Sequence, residues 1–111
     1  MKIFDRDGFL LRTGSIKSLY DELLTMFFES FPKVMAELLM SVEKQDMKEI
    51  RCQSHSVKGM CLTVGAEILA DFAKKIEHTA KHNGSIGEII TLSACLEPAF
   101  REFCGEAEKY V

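Results

Sequence analysis

The sequence predicts an all-α protein, an antiparallel up-down four-helix bundle with a short extra helix at its N-terminus. Three observations predict it. Apolar residues recur at steps of three and four along most of the chain. No stretch alternates apolar and polar positions in the manner of a strand. The breaks between periodic segments are short and carry helix-cap residues, and short connections between long amphipathic helices make neighbours antiparallel. The 111 residues, 47% hydrophobic and 28% charged, are expected to fold as a single domain over residues 1–111 around one core.

The first helix is expected from about Asp5, its N-cap, to Arg12, with the "TGS" at 13–15 as its break and Ser15 as the next cap. Leu19, Leu23, Phe27, Phe31, Val34, Leu38 and Val42 make the apolar stripe of a second helix. Pro32 lies inside that pattern and is expected to kink or restart it, since proline has no N–H and crowds the preceding turn. "KQD" at 44–46 ends it, and Asp46 caps a third helix from Met47 to about Val64, stopped by Gly65. A fourth helix runs to about His82 with Leu69, Phe72, Ile76 and Ala80 inward. "HNGS" at 82–85 supplies a left-handed cap at Asn83 or Gly84 and a new N-cap at Ser85. The last helix carries Ile86, Ile89, Ile90, Ser93, Leu96, Phe100, Phe103, Ala107 and Val111, with a bend expected at Pro98. The eight phenylalanines and the leucines are expected to fill the core.

Composition narrows the function. A net charge of −3 argues against nucleic acid as the main partner, because duplex binding needs a basic face. No apolar run reaches the roughly 20 residues of a membrane span. Asp5, Arg6 and Asp7 interrupt the place where a signal peptide would be apolar, so a cytoplasmic protein without membrane association is expected. Cys52, Cys61, Cys95 and Cys104 lack CxxC spacing and fall within helical patterns, which reads as buried free thiols rather than a disulfide framework or zinc site.

The third helix poses a local puzzle. "HSVKGM" at 55–60 places a glycine in a helix interior, where it is unfavourable by roughly 1 kcal/mol relative to alanine. At 100° per residue, Ile50, Ser54, Val57, Cys61 and Val64 define the core side. His55 then lies about 140° from it, Gly59 about 180° and Lys58 about 80°. A neutral imidazole is a nucleophile near neutral pH. A lysine one turn on can neutralise a phosphoryl group placed there, and a glycine beside it leaves room for another protein's active site. The same spacing also suits an ordinary helix surface with a tolerated glycine.

The longer stretch "SHSVKGMCLTVGAEILADFAKKIE", residues 54–77, resembles the signature of histidine phosphotransfer (HPt) domains, with His55, Val57, Lys58, Gly59, Gly65, Leu69, Ile76 and Glu77 at the matching positions. The stretch 23–59, including "FP" and Asp46, is similar at lower specificity, and "IFDRDGFLLRTGS" looks like the opening of such domains in hybrid sensor kinases. The resemblance implies a helical bundle that relays phosphoryl groups between receiver-domain aspartates in multistep two-component signalling, without kinase or ATPase activity. It implies His55 as the phosphoryl acceptor on Nε2, Lys58 as its stabiliser, Gly59 as the access point and Glu77 as the group that orients the imidazole through Nδ1. It implies no cofactor of its own, with magnesium supplied by the partner receiver. Two departures from the pattern are Ser54, where alanine is commoner, and Pro98 in a usually continuous helix.

Response-regulator receiver domains are therefore the expected partners, together with a sensor histidine kinase, whether a separate protein or part of the same polypeptide. Leu62, about 120° round the wheel, and Arg51, one turn before His55, are the expected partner-binding residues, with Met60, Lys48 and Phe9, Leu10 or Leu11 as further contributors. Competing readings are a helical interaction module that binds a receiver or kinase without being phosphorylated, and a homodimeric bundle. The chain has enough helices to close a core alone, so a monomer is expected. His78 and His82 are spaced i, i+4 as two zinc ligands can be, but residue 79 is Thr where a HExxH motif has Glu, and no metal site is expected.

Overall fold

The computed structural model of the chain describes residues 1–110. Six helices account for most of it: α1 (Arg6–Arg12), α2 (Lys17–Glu43), α3 (Met47–Val64), α4 (Glu67–Lys81), α5 (Ile86–Ser93) and α6 (Leu96–Glu108). There is no strand among the described residues. Helix α2 has 27 residues, and at 1.5 Å per residue its length of about 40 Å accounts for the 41 Å long axis of the molecule. Helix α3 packs on α4 and α2, α4 packs on α5 and α6, and α1 lies against α3.

The caps explain most of the boundaries. Asp5 accepts from the Gly8 N–H and Asp46 from the Glu49 N–H, each at 3.2 Å, so both serve as the expected N-caps. Ser85 accepts from the N–H groups of Gly87 and Glu88, and Asn83 is left-handed at φ 52°, so the "HNGS" stop works as read. Ser15 does not. It is itself left-handed, at φ 60°, and α2 starts after Ile16 without a side-chain cap. Its N–H instead closes the end of α1 on the Leu10 carbonyl at 2.9 Å.

That change of entry shifts the buried face of α2. Tyr20 and Leu24 are buried in its first turns, where Leu19 is exposed and Leu23 half-buried; from Phe27 onwards the predicted stripe holds, with Val34 only half-buried. Pro32 neither ends nor restarts α2. It faces solvent, where water can hydrate the Phe28 carbonyl that its missing N–H leaves without an intrahelical donor. Near Pro98 the predicted single helix is two. The break falls at Ala94–Cys95, and Pro98 occupies the first turn of α6, where no intrahelical N–H bond is required. Ile90, placed inward by the sequence, is exposed, and Phe72 is half-buried. Val111 lies outside the described residues.

A chain of rings joins the helices. Phe31 stacks on Phe100 with centroids 4.7 Å apart, and Phe27 meets Phe103 edge-on at 5.2 Å. Phe4 packs edge-on against Phe103, and Phe9 lies against Tyr20. The five phenylalanines at 4, 9, 27, 31 and 103 are buried, and those at 28, 72 and 100 pack partly buried against the core.

All four cysteines are free, but only Cys61 is buried; Cys52 is exposed, and Cys95 and Cys104 are half-buried. Burial pushes the Cys61 thiol up to about 12. Alkylation of the native protein with iodoacetamide, followed by peptide mass spectrometry, should label Cys52 first and Cys61 only after unfolding. Equal labelling of Cys61 and Cys52 would contradict this core.

Candidate functional site

Helix α3 has the face predicted for it. Ile50, Ser54, Val57, Cys61 and Val64 are its buried residues, and His55 and Gly59 are exposed. Ser54, in place of a commoner alanine, is satisfied internally, its hydroxyl donating to the Ile50 carbonyl at 2.6 Å. A Cβ built on Gly59 meets nothing within 4 Å, so the surface there is bare. The Gly59 carbonyl also accepts from the Thr63 hydroxyl at 3.0 Å.

The α3–α4 turn brings His55 to its partner. Gly65 takes φ 78°, and the Ala66 N–H reaches back to the Cys61 carbonyl at 2.9 Å in a Schellman closure. The chain therefore reverses within two residues, and α4 returns alongside α3. Glu77, 22 residues beyond His55, ends opposite it.

Glu77 holds two donors. Its Oε2 lies 2.6 Å from His55 Nδ1, and its Oε1 accepts from Lys58 Nζ at 2.8 Å. The carboxyl is 19% exposed, Lys58 25% and His55 67%. Burial pulls the Glu77 carboxyl upward, but the hydrogen bonds and charges of Lys58 and His55 outweigh it and hold it below its ordinary value. An ionised carboxylate only accepts, so the short contact requires the hydrogen on Nδ1. Nε2 is left with its lone pair, directed away from Glu77, as a nucleophile.

A carboxyl held low in the folded state contributes stability above its unfolded value and loses it as pH falls through the folded value. Wild type should therefore lose more stability than Glu77→Gln as the pH is lowered below about 4.3. Denaturant midpoints of the two proteins across that range test this; parallel pH profiles would contradict the carboxylate bridge.

Two surface hollows flank this triad. One, of about 500 Å³, is lined by Arg51, Cys52, His55, Glu77 and Lys81. The other, of about 220 Å³, contains Lys58, Leu62, Glu67 and Met1 in its wall. Arg51 and Leu62 thus lie on opposite sides of the triad, and Leu62 is 51% exposed. Leu11 is 80% exposed on α1, whose Arg12 Nε donates to the Thr63 carbonyl at 3.2 Å. Phe9 is in the core and Leu10 is half-buried, so neither adds to an exposed patch; Met60 is half-buried and Lys48 exposed.

The sequence reading missed Lys81, although it stands one turn beyond Glu77 on α4, and it missed Cys52, three residues before His55. Both spacings were readable, but the hollow they share is formed across two helices. The His78 and His82 rings approach to 4.3 Å between centroids, and no group of three or more metal-capable side chains occurs among the described residues.

A family model described as the Hpt domain matches residues 22–109, well over half of the chain. The chain belongs to the Hpt family. Hpt domains are phosphotransfer modules of two-component phosphorelays, and receiver domains of response regulators are their partners. The match begins within α2, so α1 precedes the matched part of this Hpt chain. No curated protein and no solved structure gave a significant match. Among the described residues of this Hpt protein no helix is long and apolar enough to cross a membrane.

Proposed function

We propose that this protein is a phosphorelay intermediate that takes a phosphoryl group from a receiver aspartyl phosphate onto His55 and hands it to another receiver. The observation that carries the reading is the 2.6 Å contact between His55 Nδ1 and Glu77, which leaves Nε2 free on an exposed face. In the transfer, the Nε2 lone pair attacks phosphorus and the aspartyl O–P bond breaks. The carboxylate returns to the receiver, whose own magnesium serves the step. The Nδ1 hydrogen stays in place. The ring becomes an imidazolium facing the Glu77 carboxylate, so no proton need move during transfer. Return of the group to a second receiver reverses these bonds.

Each residue has a part. His55 is the phosphoryl acceptor and Glu77 fixes its tautomer. Lys58, held on Glu77, supports the phosphoryl site through that carboxylate. Gly59 clears the approach, while Leu62 and Arg51 meet the receiver on either side, with Leu11 of α1 adding apolar surface. The chain has no cofactor and no kinase or ATPase activity of its own in this reading. It acts in the cytoplasm as a monomeric single domain, an up-down bundle in which α5 and α6 together serve as the fourth antiparallel helix. A hybrid sensor kinase is its proposed source. The alternative, an unphosphorylated interaction module, gives no reason for a tautomer-fixed exposed histidine.

Glu77→Gln tests the bridge. Glutamine offers one acceptor oxygen to two donors, and its amide turned to Nδ1 would favour the opposite tautomer, with Nε2 protonated. Transfer from a phosphorylated receiver should fall about tenfold or more, and ¹⁵N imidazole shifts should show the tautomer change. Unchanged shifts with unchanged transfer would remove Glu77 from the mechanism.

A further inference from the structure

The relay reading leaves open which cations meet the phosphoryl group. Lys58 is one turn from His55, but its ammonium is 2.8 Å from a Glu77 oxygen, and it lines the hollow that His55 does not. His55 lines the larger hollow, and the cations there are Arg51 and Lys81. Arg51 precedes His55 by four residues on α3, and Lys81 follows Glu77 by four on α4, so each stands one turn from a member of the triad. Neither has a carboxylate within 4.0 Å among the described residues. Glu77, the acid in that hollow, has both oxygens engaged. The hollow therefore carries an excess of positive charge beside the nitrogen that is free to react.

We propose that Arg51 and Lys81 form the phosphoryl-binding site of this protein, gripping the phosphoryl oxygens on Nε2 from α3 and α4, while Lys58 is a positioning residue that acts through Glu77. The assignment rests on the reading of His55 as phosphoryl acceptor. The guanidinium of Arg51 can engage two phosphoryl oxygens at once, and the Lys81 ammonium supplies a point charge from the opposite helix. Binding from both helices also ties the phosphoryl group to the α3–α4 pair that holds the ring. Lys58 keeps Glu77 ionised and in place, and so keeps the hydrogen on Nδ1.

Potassium phosphoramidate, a small phosphoryl donor, tests this without a receiver. Nε2 attacks phosphorus, the P–N bond of the reagent breaks, ammonia leaves and the Nδ1 hydrogen stays. Uptake at His55, followed by ³¹P NMR, should slow by on the order of tenfold for each of Arg51→Gln and Lys81→Gln, and more for the pair. In the double variant the second ionisation of the bound phosphoryl group should move to higher pH, because nearby cations no longer favour the dianion. Lys58→Gln should leave that ionisation near the wild-type value and move the imidazole ¹⁵N shifts instead.

Wild-type behaviour in the double variant would overturn the assignment, as would a larger ionisation shift in Lys58→Gln. Failure of the reagent to label His55 in wild type would overturn it too. Labelling that depends on Arg51 and Lys81, in a protein that no receiver phosphorylates, would keep this site and remove the relay.

Discussion

Gly59→Leu should leave the protein folded, with an unfolding midpoint at or above wild type, and should slow phosphoryl uptake from a receiver by about 100-fold. The two halves of this expectation have separate causes. A Cβ at Gly59 enters open space, and the position is helical, so leucine removes an unfavourable helix residue at a gain of up to about 1 kcal/mol. The same side chain would stand one turn from His55, on the bare surface across which a receiver has to bring its aspartyl phosphate. Misplacing the reacting atoms by an ångström is enough for a loss of that size. A small donor does not need the clearance, so uptake from phosphoramidate should be nearly unchanged. Equal transfer from a receiver to Gly59→Leu and wild type would show that the glycine is not there for access.

Gly65→Ala should do the opposite, destabilising the fold without touching the chemistry. Gly65 is left-handed at φ 78°, which costs a residue with a Cβ about 1–2 kcal/mol. A Cβ there would also lie 2.6 Å from the Asp5 carbonyl oxygen. That carbonyl belongs to backbone tied to the same glycine, because the Asp5 N–H donates to the Gly65 carbonyl at 2.7 Å. The N-terminal segment cannot move aside without giving up that bond and the Lys2 carbonyl's contact with the Ile68 N–H. Relief of the overlap adds about 1–3 kcal/mol, for a total of about 2–5 kcal/mol. Urea denaturation measures it directly; a loss of only about 1 kcal/mol, the left-handed cost alone, would mean that the segment before α1 is not held against the turn.

The contrast between these glycines shows how far the sequence could be read. Only Gly59 falls in a helix interior, where glycine is costly; Gly65 falls at a left-handed helix end, where glycine is favoured, and the pattern around each separated them. Gly65 follows the last apolar position of α3 and reads as a stop; Gly59 sits opposite the apolar stripe and reads as a gap. The faces of α3 were legible because its stripe is unbroken and its Asp46 cap and Gly65 stop are both used. The entry to α2 was not, because Ser15 was spent on closing α1, and burial of Tyr20 and Leu24 follows from how α1 lies on the bundle. Cysteine burial was misread for a related reason. A helical pattern shows that a residue is on a helix, but Cys52 lies on the solvent face of α3 and Cys61 on the core face.

Within the site, what one helix determines was readable and what two helices determine was not. His55, Lys58 and Gly59 share α3, so their relative directions follow from spacing. Glu77 was matched to the ring by the longer pattern, but its second oxygen on Lys58 depends on the distance between α3 and α4. The hollow joining Arg51, His55 and Lys81 depends on the same distance.

The central claim is that His55 is phosphorylated. Incubation with a ³²P-labelled phosphorylated receiver, followed by acid and base treatment of the separated protein, tests it most directly. Acid-labile, base-stable label on wild type, mapped to His55 and absent from His55→Gln, is the predicted result. Label that survives in His55→Gln, or no label on wild type from any of a panel of cognate receivers, would contradict it.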